Sequence, residues 1–251
     1  MAVCEIQLNQ VASLGKMASF YAIIPEGKTG PFPVYYLLHG MSDNHTAWTR
    51  RTSLERYASG LPIIIIMPDG ERSFYTDSAK FPTDQFETYI TRDLIGFVDS
   101  TWNTIATPKG RAIGGLSMGG YGAIKLALKF PELFGAGVSH SGALEAASHA
   151  ANPDWSNANE WVSIFGENPT GGPNDIFALM EKLTAATAPA LRIDCGSEDF
   201  LIESNRRATK RLTELGLPHE YAEYPGGHSW EYWDTHVQEA LQFAAKHFGI
   251  V

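Results

Sequence analysis

Residues 111–130 read RAIGGLSMGGYGAIKLALKF, and this stretch decides the fold. A β-like run enters Gly115-Leu116-Ser117-Met118-Gly119 and a helix-like run leaves it. That is the strand–turn–helix setting in which G-x-S-x-G denotes a nucleophile elbow. The glycines have a steric reason. A serine on so tight a turn holds a strained backbone conformation, and a side chain two positions away would collide with the neighbouring chain. Gly114 and Gly120 widen the tolerance. Ser117 is therefore the candidate nucleophile.

Outward from the elbow, short apolar runs alternate with helical patterns. The expected strands are Val3–Leu8, Ala18–Ile24, Val34–His39, Ile63–Met67, Ala112–Gly115, Gly135–Ser139, Leu191–Cys195 and Glu220–Tyr224. Ile63 to Ile66 and Val34 to Leu38 are continuously apolar, as strands covered on both faces are. Phe86, Tyr89, Ile90, Leu94, Phe97, Val98 and Trp102 follow the helical period, as do Trp230, Trp233, Val237, Leu241, Ala244 and Phe248. Hairpins first and β-α alternation afterwards imply an α/β fold, a mostly parallel sheet with helices on both faces. The chain, residues 1–251, is expected to be one domain. Residues 144–175, rich in Ala, Asn, Pro and Gly, break the rhythm and are expected to be a lid-like insertion.

A serine hydroxyl needs a base to take its proton, and the base needs a partner to hold its tautomer. Five histidines follow Ser117: His149, His219, His228, His236 and His247. His236 and His247 fall inside the terminal helix pattern as surface residues, His219 opens a strand, and His149 lies in the insertion. His228 stands in Tyr224-Pro225-Gly226-Gly227-His228-Ser229-Trp230, between the last strand and the last helix. Catalytic groups gather at such strand ends in open α/β sheets, so His228 is the candidate base. The acid should follow the preceding strand, in Asp194-Cys195-Gly196-Ser197-Glu198-Asp199. Asp194 sits within the strand; Asp199, at its mouth, is favoured over Glu198.

Acyl transfer also needs donors aimed at the oxyanion. The backbone N–H of Met118, next to the nucleophile, is one candidate. The other is Met41, in the loop His39-Gly40-Met41-Ser42-Asp43-Asn44 after the third strand. The His39 side chain is read as a packed, hydrogen-bonded support rather than a base. Trp48, Phe74, Tyr75 and Trp230 fall in loops at the catalytic end of the sheet, and Trp155 and Trp161 fall in the insertion. All six are expected to wall a substrate cleft that suits short or flat acyl groups.

These residues together resemble the putative-esterase family of α/β-hydrolases, which includes esterase D (S-formylglutathione hydrolase), tributyrin, feruloyl and cinnamoyl esterases, and the antigen 85 mycolyltransferases. The matching blocks are VYYLLHGMSDNHTAW, IIIIMPDG, FETYITRDL, RAIGGLSMGGYGAIKLALKFPELFG, SHSGAL, CGSEDF and PGGHSWEYW, in order across nearly the whole chain. The resemblance implies an α/β-hydrolase fold with a triad on Ser117, Asp199 and His228 and oxyanion amides at Met41 and Met118. It further implies a serine carboxylesterase that cleaves short-chain acyl or aryl (cinnamoyl or feruloyl-type) esters through an acyl-enzyme on Ser117. A thioesterase acting on S-formylglutathione and an acyltransferase are the alternatives within the family. A non-catalytic binding protein is a third reading, against which the intact triad argues.

Composition agrees. The 251 residues carry a formal net charge of −9, which argues against nucleic acid, since phosphate binding needs a basic stripe. No apolar run reaches the length of a membrane span. The start MAVCEIQLNQ lacks the basic-then-apolar plan of a secretion signal. The two cysteines, Cys4 and Cys195, are too few for a disulfide framework, and the expected location is the cytoplasm. Gly27-Lys28-Thr29 fails as a phosphate loop because Ala22 stands where the first glycine belongs. No His, Cys, Asp or Glu pair has convincing metal spacing, and no cofactor is implied. The expected partner is a small-molecule ester; a homo-oligomer is compatible with this sequence.

Overall fold

The continuously apolar runs form the middle of an eight-stranded sheet because both of their faces are covered. In the computed structural model, which describes residues 1–150 and 158–251, the strands are β1 (Ala2–Val11), β2 (Lys16–Ile24), β3 (Val34–Leu38), β4 (Ile64–Pro68), β5 (Arg111–Leu116), β6 (Ala136–His140), β7 (Ala190–Gly196) and β8 (His219–Tyr224). All eight expected strands are present, with slightly displaced ends. Across the sheet they lie in the order β1-β2-β4-β3-β5-β6-β7-β8. β1 and β2 make an antiparallel hairpin, β2 is antiparallel to β4, and the remaining pairs are parallel.

The helices are α1 (Ala47–Arg51), α2 (Leu54–Ala58), α3 (Phe86–Thr88), α4 (Ile95–Thr101), α5 (Met118–Lys129), α6 (Ala146–His149), α7 (Ala158–Phe165), α8 (Ile176–Met180), α9 (Ile202–Glu214) and α10 (Trp230–His247). Tyr89–Leu94, between α3 and α4, is a π-helical turn. Strand alternation sorts the core onto two sides. Val34, Tyr36, Ile64, Ile66 and Ile113 pack with Ile124 of α5 and Leu212 of α9. Tyr35, Leu37, Ile63, Ile65 and Ala112 pack with Leu54 of α2 and Val237 of α10.

The elbow depends on close backbone approach. A Cβ on Gly119 would lie 2.5 Å from the Leu38 carbonyl oxygen and 2.7 Å from that of His39. One on Gly115 would lie 2.6 Å from the Gly119 carbonyl carbon. The two motif glycines thus face each other, and α5 starts directly against the end of β3.

The stretch between β6 and β7 holds α6, α7 and α8. Residues 151–157 of the expected lid, with Trp155 among them, lie outside the described residues. α7 buries Trp161 and Phe165 against Phe74, with Phe74 ring-centroid separations of 4.6 and 5.4 Å, and Arg72 fastens it through a two-pronged bond to Glu160 at 2.6 and 2.9 Å. The expectation that His236 is a surface residue is corrected. It is buried on the sheet side of α10, stacked on Tyr224 at 4.1 Å. His247 is half-buried, with Nε2 on the Pro108 carbonyl. Among the described residues no helix is long and apolar enough to cross a membrane.

Candidate active site

Ser117 occupies the turn between β5 and α5 with φ 51° and ψ −115°, the left-handed region that side chains rarely adopt. Three backbone bonds hold it there. Its N–H donates to the His140 carbonyl at 2.9 Å, and its carbonyl accepts from Tyr121 at 3.0 Å and Ala143 at 3.1 Å. The strain is thus sustained by the end of β6 and the first turn of α5.

His228 lies between β8 and α10, and Asp199 just after β7. The two loops are stitched together: Ser197 N–H donates to Tyr224 O and Glu198 N–H to Gly226 O, at 2.8 and 3.0 Å. His228 Nε2 lies 3.0 Å from Ser117 Oγ, and its Nδ1 lies 2.8 Å from Asp199 Oδ2. Asp199 Oδ1 accepts the Leu201 N–H at 2.8 Å. Burial pushes the Asp199 carboxyl upward, but the hydrogen bonds from His228 and the Leu201 amide outweigh it and hold the group below its ordinary value. An anion on Nδ1 fixes the imidazole with Nε2 free to accept the serine proton. Glu198 is exposed and enters this loop through its backbone N–H. Asp194 is fully buried, bonded to His140 Nδ1 at 2.9 Å and to the Tyr232 hydroxyl at 3.0 Å.

Met118 opens α5, so its N–H is one of the donors a helix leaves unpaired in its first turn. Among the described residues neither that N–H nor the N–H of Met41 meets a protein acceptor. Gly40 brings the second loop against Ser117, since a Cβ there would sit 3.8 Å from Ser117 Cβ. A cleft of about 490 Å³ opens over Ser117 and His228, lined also by Met41, Arg51, Leu116, Phe200, Trp230 and Trp233. A smaller cavity of about 230 Å³ beneath α7 includes none of the three triad candidates. Among the described residues no cluster of three or more His, Cys, Asp or Glu side chains could hold a metal ion.

Residues 12–244 match the family model described as Putative esterase. The chain belongs to that family. An acetyl esterase of Caldicellulosiruptor saccharolyticus is 31% identical over 98% of this chain and 99% of its own. Among solved structures, fluorophosphonate-binding serine hydrolase F of Staphylococcus aureus superimposes with a TM-score of 0.87 at 27% identity, covering 97% of this chain and 98% of that one. An S-formylglutathione hydrolase of the same species gives 0.83 at 28%, covering 97% and 99%. This chain is an esterase of α/β-hydrolase fold, a carboxylic ester hydrolase.

In the esterase, Ser117, His228 and Asp199 come together, and of the six aromatic candidates Trp230 lines the cleft. Four of the others are corrected. Trp48 is buried behind Trp230, with its indole N–H on the Leu38 carbonyl at 3.0 Å. Tyr75 is fully buried, with its hydroxyl on the His39 carbonyl at 3.0 Å. Phe74 packs between Tyr121 and Trp161. Phe74 and Tyr75 lie in the expected loop and Trp48 in α1, but all three point into the core, as does Trp161 in α7. Sequence reasoning missed Phe200, 76% exposed with its ring 4.7 Å from that of His228. It also missed Trp233, edge-on to His228 at 4.9 Å, which the sequence presents only as part of the terminal helical period, and Arg51, whose guanidinium lies over the Trp230 ring at 5.8 Å.

Proposed function

We propose that Ser117, His228 and Asp199 are the catalytic triad of a serine esterase for short-chain acyl and flat aryl esters. The observation that carries this reading is the continuous hydrogen-bonded chain Ser117–His228–Asp199 at 3.0 and 2.8 Å. His228 Nε2 takes the Ser117 proton as Oγ attacks the ester carbonyl, and returns it to the departing alcohol. Water then releases the acyl group by the same route. The N–H groups of Met41 and Met118 receive the oxyanion.

The cleft sets the substrate class. Leu116, Trp230, Trp233 and Phe200 give it apolar walls, and aromatic rings do not fold away to admit a long chain. Each further methylene adds at most about 0.8 kcal/mol, and only where space exists for it. Acetyl to butyryl and cinnamoyl-type esters fit, and activity falls steeply beyond about eight acyl carbons. The names of an acetyl esterase and a ferulic acid esterase among the relatives support this choice. We read residues 1–251 as one hydrolase domain and 144–175 as its lid-like insertion, and we place the protein in the cytoplasm, consistent with two free cysteines.

A panel of p-nitrophenyl acyl esters, methyl ferulate and S-formylglutathione tests the reading. Preference for butyryl over palmitoyl esters supports it. Equal rates on both would replace the closed cleft with an open one, and a dominant rate on S-formylglutathione would make the enzyme a thioesterase.

A further inference from the structure

The loop that carries Met41 is clamped by two side chains that have no direct part in the triad. Gly40 O accepts from His39 Nδ1 at 2.7 Å and from the Asp43 N–H at 3.1 Å. His39 Nε2 accepts the Gly70 N–H at 2.8 Å, which puts the ring hydrogen on Nδ1, where it is donated to Gly40. Asp69 Oδ1, 3.3 Å from the same Nε2, has its own donor in the Glu71 N–H at 3.0 Å. One residue earlier, the His39 carbonyl accepts the Tyr75 hydroxyl at 3.0 Å. Tyr75 is itself wedged in place. Its backbone holds φ 52°, its carbonyl accepts Lys125 Nζ at 2.6 Å, and its ring fills the space that a Cβ on Gly122 would need. Lys125 and Gly122 belong to α5, the helix that Ser117 begins.

Gly40 C=O and Met41 N–H are the two ends of one peptide group. Among the described residues the cis bond is Gly30–Pro31, so the Gly40–Met41 peptide is trans and planar, with its N–H opposed to its C=O. Pinning the oxygen on the buried side therefore aims the hydrogen towards the cleft. Hydrogen bonds donated to that oxygen also polarise the amide and strengthen its N–H as a donor. Resting on the triad reading above, we propose that His39 and Tyr75 are positioning residues for the oxyanion site. They fix two successive peptides, and α5 supplies the common base for this donor and for the nucleophile.

The test uses an acyl trifluoromethyl ketone. Ser117 Oγ bonds to its carbonyl carbon, the π pair moves onto oxygen as an oxyanion, and the serine proton goes to His228 Nε2. In Tyr75→Phe, kcat on p-nitrophenyl butyrate should fall about 10- to 100-fold, because a misaimed donor costs rate rather than ground-state affinity. KM should stay within about twofold, and inhibition by the ketone should weaken in step with kcat. Binding of the matching neutral alcohol should not change. Asn keeps a donor at the Nδ1 position of His39, whereas Gln reaches only the Nε2 position, so His39→Asn should retain more activity than His39→Gln. A folded Tyr75→Phe enzyme with unchanged kcat and ketone affinity would overturn the proposal, as would His39→Gln matching His39→Asn. Absence of a hemiketal 19F resonance in the unmutated enzyme would instead remove the Ser117 reading.

Discussion

Three carboxylates stand within six residues, and only one of them reaches His228. Asp194 is committed to His140 and Tyr232, and Glu198 faces solvent. Asp199 divides its two oxygens between the Leu201 amide and His228, so it both shapes its loop and orients the ring. Asp199→Asn should therefore fold yet lose roughly 10⁴-fold in kcat, since the amide favours the wrong histidine tautomer. Glu198→Gln should stay close to wild type; the opposite ranking in steady-state kinetics would transfer the role to Glu198. Ser117→Ala and His228→Ala should each cost roughly 10⁶-fold, and the double variant little more, because the groups act as one unit. Retention of more than a few per cent of turnover by Ser117→Ala would refute the nucleophile assignment.

At the scale of elements, the strand–turn–helix of β5 and α5 fixes where glycine is required and where it is dispensable. Alanine at Gly119 would drive its methyl into the Leu38 and His39 carbonyls at 2.5 and 2.7 Å, and backbone cannot step aside as a flexible side chain can. Gly119→Ala should cost about 1–3 kcal/mol and most of the activity. Gly96 in α4 is exposed, and among the described residues a Cβ there meets nothing within 4 Å. Gly96→Ala should stabilise by about 0.4–1 kcal/mol, through the smaller entropy of the unfolded chain. Denaturant unfolding of both variants checks the contrast, and equal effects would contradict the close-approach argument. The same elements show what a sequence discloses. The eight strands, the elbow and the loops after β7 and β8 were legible because apolar runs and turn glycines follow from backbone geometry. The inward turn of Trp48 and Tyr75 was not, since a loop position does not say which way a side chain points. Both direct their polar atoms to buried carbonyls of the β3 end, a choice visible only in three dimensions. Phe200 gave no signal because a lone apolar residue after a turn looks like any exposed loop position. The π-helical turn at Tyr89–Leu94 was equally silent, for the apolar period through it is that of an ordinary helix.

The whole molecule carries a charge of −9, yet several carboxylates are more stable ionised in the fold than out of it. Burial works against Glu87, but the ammonium groups of Lys125 and Lys129, at 2.9 and 2.6 Å, bring it below its ordinary value. Burial likewise raises Asp93, but hydrogen bonds from Arg92 and Ser13 outweigh it and bring the carboxyl below its ordinary value. Asp199 follows the same pattern, and Arg206 draws the exposed Glu223 down to about 2. Asp43 runs the other way, raised chiefly by burial. A carboxylate lowered in the fold contributes stability that is complete above its unfolded pKa, about 4, and is lost as pH falls through its folded value. Several such groups against one predict that Tm declines below about pH 4.5. Each kcal/mol lost should lower it by roughly 2–4 °C. Glu87 is the place to test the cause, because Lys125 beside it is fully buried. Glu87→Gln leaves that ammonium without its carboxylate and should cost about 3–5 kcal/mol at pH 7. Its Tm should also fall less on acidification than that of the wild type, since one proton-linked group has been removed. A variant whose acid limb ran parallel to that of the wild type would show that the stability of the fold at low pH is governed elsewhere than in the Lys125–Glu87–Lys129 cluster.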